Sequence, residues 1–319
     1  MERAEEHSND LLVMRLQELE KENAMLKRIL DQHGISYPVS VESSTIEQPT
    51  HIVTGHAIRL SLQEKVAIFQ NLFKGRDDVF AKRWYSPSSQ KAGYQPVCER
   101  EWNREYCDKR KYLSYNDFFN HLAGKDQFGR DVIGLYPICQ DNTCYFLCTD
   151  FDDKNCEHGY KNDVLAFINV CNSWNVPCYI ERSRSGNGAH VWIFFDKPIT
   201  ALKARKLGNA ILTEAMNREA RLSFKSYDRF FPNQDSLPEG GLGNLVALPL
   251  QGMARRKGNS VFLDNKFNAY EDQWTFLSQI HKFSETELDL LLRQHTVPTL
   301  GELSKSSETK PWETPQIIL

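Results

Sequence analysis

The chain has 319 residues, 40% hydrophobic and 25% charged, enough apolar content to bury one large core or two small ones. A formal net charge of −3 excludes a uniformly basic nucleic-acid binder and confines any such contact to a local groove; no apolar run has the length of a membrane span. Eight irregularly spaced cysteines, with Cys144 and Cys148 inside an apolar run, read as reduced thiols, and with no signal peptide the expectation is a soluble cytoplasmic protein that meets no membrane.

At the N-terminus Leu12, Leu16, Leu19, Asn23, Leu26 and Leu30 recur at alternating spacings of four and three, a heptad seam with one polar position. An Asn among leucines sets register in parallel dimers, so residues 1–35 are expected to form a coiled-coil helix joining two copies. The same stripe would also suit an amphipathic helix packed on its own domain or on another protein. Gly34 stops the pattern, and residues 36–57, rich in Ser, Thr, Pro and Glu, read as a flexible linker.

Ser61 and Glu64 have capping-box spacing and predict a helix through Val66, Ile68, Phe69, Leu72 and Phe73. Lys74, Arg76, Lys82 and Arg83 follow, as a solvated helix end or as contacts for a template strand. Apolar spacing predicts further helices over 163–173, 199–219 and 284–295, and the polar stretch 297–319 reads as a disordered tail.

The run from Cys144 to Cys148 is short, apolar and aromatic, as a buried strand is, and it leads into Asp150 and Asp152. Residues i and i+2 share one face of a strand, so both carboxylates can converge while Phe151 packs behind them. Paired carboxylates repel, and a divalent cation held by hard oxygen ligands, Mg²⁺ or Mn²⁺, removes the conflict; the alternative is a solvated acidic turn. Val176–Arg182 and His190–Phe195 read as two strands of a hairpin closed by the loop Ser183–Gly188. Gly186 and Gly188 allow positive φ and close approach of a ligand, and successive N–H groups there can form an anion-binding concavity. Ser185 and His190 are candidate donors to phosphate oxygens, with Arg182 and Arg184 adding charge; otherwise the loop is a turn and the histidine structural.

Ser226–Asp235 offers two further carboxylates. The alternating stretch Leu222, Phe224 and Ser226 points to Asp228 on a strand edge facing the first pair, while Asp235 lies in a turn-rich segment where it would cap a turn or orient Arg229. Arg255, Arg256 and Lys257 follow, and with Arg229 they are candidate contacts for a triphosphate or a polynucleotide backbone.

The order DxD, then SGxGxH opening a strand, then an aromatic–Asp block resembles the three motifs of the archaeo-eukaryotic primase superfamily. The strings GRDDVFAKRW, GYQPVCEREW, VIGLYPICQDNTCYFLCTDFDD, SRSGNGAHVWIFF, SYDRFFPNQD with GNLVALPLQ, and GNSVFLD are similar to the primase-polymerase domain of TOTE conflict systems, over about residues 60–285. The resemblance implies a mixed α/β (α+β) fold for residues 58–296, with an RRM-like antiparallel sheet abutting a second αβ unit and a metal site in the cleft. It implies template-directed nucleotidyl transfer with release of pyrophosphate. Asp150, Asp152 and Asp228 would hold two Mg²⁺ or Mn²⁺ ions, and Ser185 and His190 would grip the triphosphate. The expected partners are a single-stranded DNA or RNA template, a primer and nucleoside triphosphates.

Members of this branch often carry a zinc knuckle ahead of the catalytic blocks. Here Cys98 and Cys107 stand without a following CxxC, so a degenerate site without zinc is expected unless His121 or Cys139 completes four ligands. Related proteins often place helicase and nuclease domains beyond the primase, and the sequence carries neither, which points to separately encoded partners or a longer chain. Two rival readings share these residues: a metal-dependent nuclease, and an inactive nucleic-acid-binding or scaffolding module.

Overall fold

The computed structural model describes residues 60–98, 111–153 and 159–295, with Lys21, Met25 and Gln32 as single helical positions. The remainder of the expected coiled coil 1–35, the linker 36–57 and the tail 297–319 lie outside the described residues. The chain divides after Gly55, and every element below belongs to the unit that follows.

Helix α1 (Leu62–Leu72) begins at the expected capping box, in which Ser61 accepts from the Glu64 N–H and the Glu64 carboxylate accepts from the Ser61 N–H. After it come β1 (Ala81–Ser86), β2 (Lys91–Pro96), α2 (Tyr115–Ala123), β3 (Ile133–Leu135), β4 (Thr143–Asp152), α3 (Gly159–Ser173), β5 (Tyr179–Arg182) and β6 (Gly188–Thr200). The chain continues through α4 (Ala201–Arg218), β7 (Tyr227–Phe231), β8 (Val246–Ala247), α5 (Gly252–Arg256), β9 (Phe262–Leu263), α6 (Gln273–Ser278) and α7 (Glu285–His295). The strands form a four-stranded sheet ordered β2-β1-β3-β8 and a five-stranded sheet ordered β7-β4-β6-β5-β9. Every pairing in both is antiparallel, so the fold is the expected mixed α/β one. No helix among the described residues is long and apolar enough to cross a membrane.

Strand β4 is apolar on both faces because both are covered. One face carries Leu147, Thr149 and Phe151 toward α3 and α4: Phe151 meets Phe167 edge-on at 5.8 Å, and Gly208 brings α4 against Leu147 and Phe230. The other carries Phe146 and Cys148 beside Phe194 and Trp192 of β6, covered by Phe73 at 5.2 and 5.5 Å from the Trp192 and Phe194 rings. Asp150 and Asp152 continue this second face to the strand's end, where both become partly exposed.

Two expectations shift for local reasons. The strand expected from Val176 starts at Tyr179, because Asn175, at φ +56°, and Val176 close α3: their N–H groups donate to Asn172 and Cys171 carbonyls at 3.2 and 2.8 Å, a Schellman ending. The alternation at Leu222–Ser226 is not a strand. Phe224 takes φ +48° and Ser226 donates its N–H and hydroxyl to the buried Asp163 carboxylate of α3, so a pinned turn precedes β7.

Candidate active site

The antiparallel register sets the site. Across β4 and β6, Asp150 faces His190 and Asp152 faces Gly188; across β4 and β7, Asp150 faces Arg229 while Phe151 faces Tyr227. Asp228 is therefore the extra residue of a β-bulge, and β7 is an edge strand. The bulge turns its carboxylate to the Asp150 face: one oxygen from each of Asp150, Asp152 and Asp228 lies within 4.8 Å of the others.

The cluster is electrostatically strained. Asp150 Oδ1 is buried and has no hydrogen-bond partner among the described residues; the nearest positive group is His190 Nε2 at 3.5 Å. Burial above all, helped by the charges of Asp152 and Asp228 and opposed by His190, pushes the Asp150 carboxyl up to about 6. Arg229 Nε donates to Asp228 Oδ2 at 2.7 Å at the exposed side. His190 Nδ1 donates to Glu181 Oε2 at 2.6 Å; burial disfavours its charge, but the carboxylates of Glu181, Asp150 and Asp152 together outweigh that and raise the imidazole to about 9. A buried, unsatisfied carboxylate oxygen inside a three-carboxylate cluster fits a hard divalent cation, and the donor set is all oxygen.

The hairpin loop is built around its glycines. Gly186 has φ +87°, and a Cβ there would meet the Asn259 amide. At Gly188 a Cβ would lie 2.4 Å from the Phe151 carbonyl oxygen and 3.1 Å from Asp152 Oδ1, so the glycine permits close pairing of β6 with β4. Gly188→Ala is accordingly expected to destabilise the protein by about 1–3 kcal/mol, read as a lower urea midpoint; an unchanged midpoint would contradict that role.

Ser185 is exposed, its hydroxyl 3.0 Å from that of Ser183 and accepting the Asn187 N–H. The Arg184 guanidinium lies beside the Tyr94 hydroxyl of β2. Arg182 is committed elsewhere, donating to the Gly258 and Phe267 carbonyls at 2.7 and 3.0 Å. In the basic cluster Arg256 donates to the Ala123 and Gly124 carbonyls at the end of α2, Arg255 is half-buried with its guanidinium lowered by that burial, and Lys257 is exposed. Asp235 does not orient Arg229: it accepts from Arg205 at 2.6 Å.

Cys107 lies outside the described residues, Cys98 is buried, and burial pushes the Cys139 thiol up to about 11. His121 is not available as a zinc ligand. Its Nδ1 accepts the Ile133 N–H at 3.1 Å, which leaves Nε2–H to donate to the Pro249 carbonyl at 2.8 Å, and burial lowers the ring to about 4. Glu181 is a site residue that the motifs do not mark: β5 reads Tyr-Ile-Glu-Arg, and an acidic residue beside Arg182 carries no signal of its own.

No curated protein matches the sequence. The polymerase domain from Mycobacterium tuberculosis Ligase D, solved in complex with DNA, is a similar structure: 11% identity, a TM-score of 0.39, and coverage of 73% of this chain and 87% of that one. A profile of the TOTE conflict system, archaeo-eukaryotic primase domain, matches residues 64–291. That match spans most of the chain and contains Asp150, Asp152, His190 and Asp228, so the chain belongs to the archaeo-eukaryotic primase domain family of TOTE conflict systems.

Proposed function

We propose that the domain is a template-directed nucleotidyltransferase, a primase-polymerase that joins nucleoside triphosphates to a nucleic-acid 3′ end with release of pyrophosphate. The observation that carries this reading is the convergence of Asp150, Asp152 and Asp228 on one point, with a buried oxygen among them that accepts no hydrogen bond from the described residues. Mg²⁺ or Mn²⁺ held by these residues would lower the pKa of the attacking 3′-hydroxyl and neutralise phosphate charge. The chain's own residues bind and orient. His190 presents Nε2 to the cluster, the Ser183–Gly188 loop offers backbone and hydroxyl donors to the triphosphate, and Arg184 and Arg229 add positive charge at its margins.

For the template, we assign the cavity of about 540 Å³ lined by Lys82, Arg83 and Trp84 of β1 together with Lys111 and Arg130. Cations beside the half-buried Trp84 suit a single strand, which offers phosphates and unstacked bases. Lys82 also pairs with Asp117, Arg83 with the Phe128 carbonyl and Arg130 with Asp126, as Arg76 does with Asp78 and the Gly241 carbonyl, so a template phosphate would share or displace these partners.

Incubation with Mn²⁺ or Mg²⁺, labelled nucleotides and single-stranded template, with and without primer, tests the proposal: extended strands with pyrophosphate are expected. Shortened strands would establish a nuclease instead.

Cation binding should also be visible in stability. The folded pKa of Asp150, about 6, lies above its ordinary value of 3.8, so ionisation costs the metal-free fold stability as pH rises through that interval. A cation that binds the ionised cluster recovers the loss. Mn²⁺ is expected to raise Tm more at about pH 7.5 than at about pH 5, with EDTA reversing the gain; an increment independent of pH would argue against the site.

A further inference from the structure

Glu181 carries a charge where the strand needs none. It is 1% exposed, flanked by the buried Ile180, and the hairpin is already held by the backbone ladder from Tyr179↔Trp192 to Arg182↔Ala189. A buried carboxylate is tolerated only when its oxygens are paired, and here three donors from two segments, β6 and the loop before β9, converge on it. Oε2 accepts from His190 Nδ1 at 2.6 Å and from Trp192 Nε1 at 3.2 Å; Oε1 accepts from the Ser260 hydroxyl at 3.3 Å.

Two of these contacts immobilise the carboxylate itself. The Trp192 indole is fully buried in the core of the sheet, and Ser260, 1% exposed, has φ +56° in the loop between α5 and β9. That loop also props the hairpin turn, since Asn259 packs on Gly186 and donates to the Arg184 carbonyl. With the carboxylate fixed from two sides, the third contact orients the imidazole. Turning the ring over would set a C–H against Oε2 and forfeit the shortest bond of the group.

We propose that Glu181 is a positioning residue for His190: it clamps Nδ1 so that Nε2 is the ring nitrogen presented to the carboxylate cluster. The orientation is the same whether or not the ring carries its second proton, because Nδ1–H is the donor in either state. The proposal rests on the reading of His190 as a contact for the incoming triphosphate.

The test is a thermodynamic cycle on the full chain, with binding of dATP and of ATP measured in Mn²⁺ without template, so that no turnover is required. Glu181→Gln is expected to weaken binding about 10-fold, as loss of a partner behind a functional histidine does. His190→Ala should weaken it at least as much, and the double variant should bind no worse than His190→Ala alone, since Glu181 acts only through the ring. Additive losses, or an unchanged Kd for a folded Glu181→Gln, would overturn the proposal. A His190→Ala protein that binds nucleotide like the wild type would remove the triphosphate contact beneath it. The wild type provides a check that does not depend on variants folding. A slowly exchanging downfield Nδ1 proton assigned to His190 is expected by NMR, and its absence would overturn the clamp.

Discussion

Replacing Asp150 and Asp152 together by asparagine is expected to abolish nucleotide incorporation while the metal-free protein becomes more, not less, stable. The two effects share one cause. Asp150 is buried beside the charges of Asp152 and Asp228, with an oxygen that accepts no hydrogen bond from the described residues and is offset only in part by His190, and its carboxyl rises to about 6 in consequence. Neutral amides remove that repulsion without changing shape, so the apo protein should melt higher at neutral pH. The same change removes the anionic oxygens that would hold the divalent ions, whose contribution of several kcal/mol corresponds to about 10³-fold or more in rate. Extension assays together with thermal melts check both halves. A folded double variant that still extends primers would remove these carboxylates from the chemistry.

The second large effect separates the two acidic residues of the third block. Asp228→Ala is expected to lower incorporation by about 10³-fold or more even at high Mn²⁺, because the β7 bulge makes it the third oxygen donor of the cluster. Its loss would also release Arg229, which donates to it at 2.7 Å. Asp235 is half-exposed and pairs with Arg205 at the surface. Such an ion pair is worth about 0–1 kcal/mol, so Asp235→Ala should change turnover no more than about 3-fold. Primer-extension rates of the two variants decide. An inactive Asp235→Ala beside an active Asp228→Ala would move the third ligand seven residues along the chain and require the site to be redrawn.

Much of this architecture was legible in the sequence because it rests on local rules. The Ser61–Glu64 box starts α1 through hydrogen bonds that span three residues. The convergence of Asp150 and Asp152 follows from the two-residue period of a strand, and the β5–β6 hairpin from apolar runs closed by a glycine-bearing loop. The family motifs were equally readable, since they are contiguous strings, and the profile match over residues 64–291 falls on them.

What the sequence by itself determined, then, is helices α1, α3, α4 and α7, strands β4, β5 and β6, and the pairing of the DxD carboxylates on one face; the remaining elements and the completed site were decided only by tertiary structure. That Asp228 reaches the pair depends on a bulge between β4 and β7, and a shift of one residue would have turned it to the opposite face. That turn was misread as a strand because its geometry comes from Asp163, a buried acceptor 63 positions earlier. Arg182, Arg256 and His121 looked available in sequence and are spent on backbone carbonyls, in the last case one 128 positions away. Glu181 is the reverse case, since an acidic residue beside Arg182 in β5 acquires meaning only from the donors that surround it. In each case the deciding partner is distant along the chain, and its approach is set by strand register and core packing, which no short window of sequence contains.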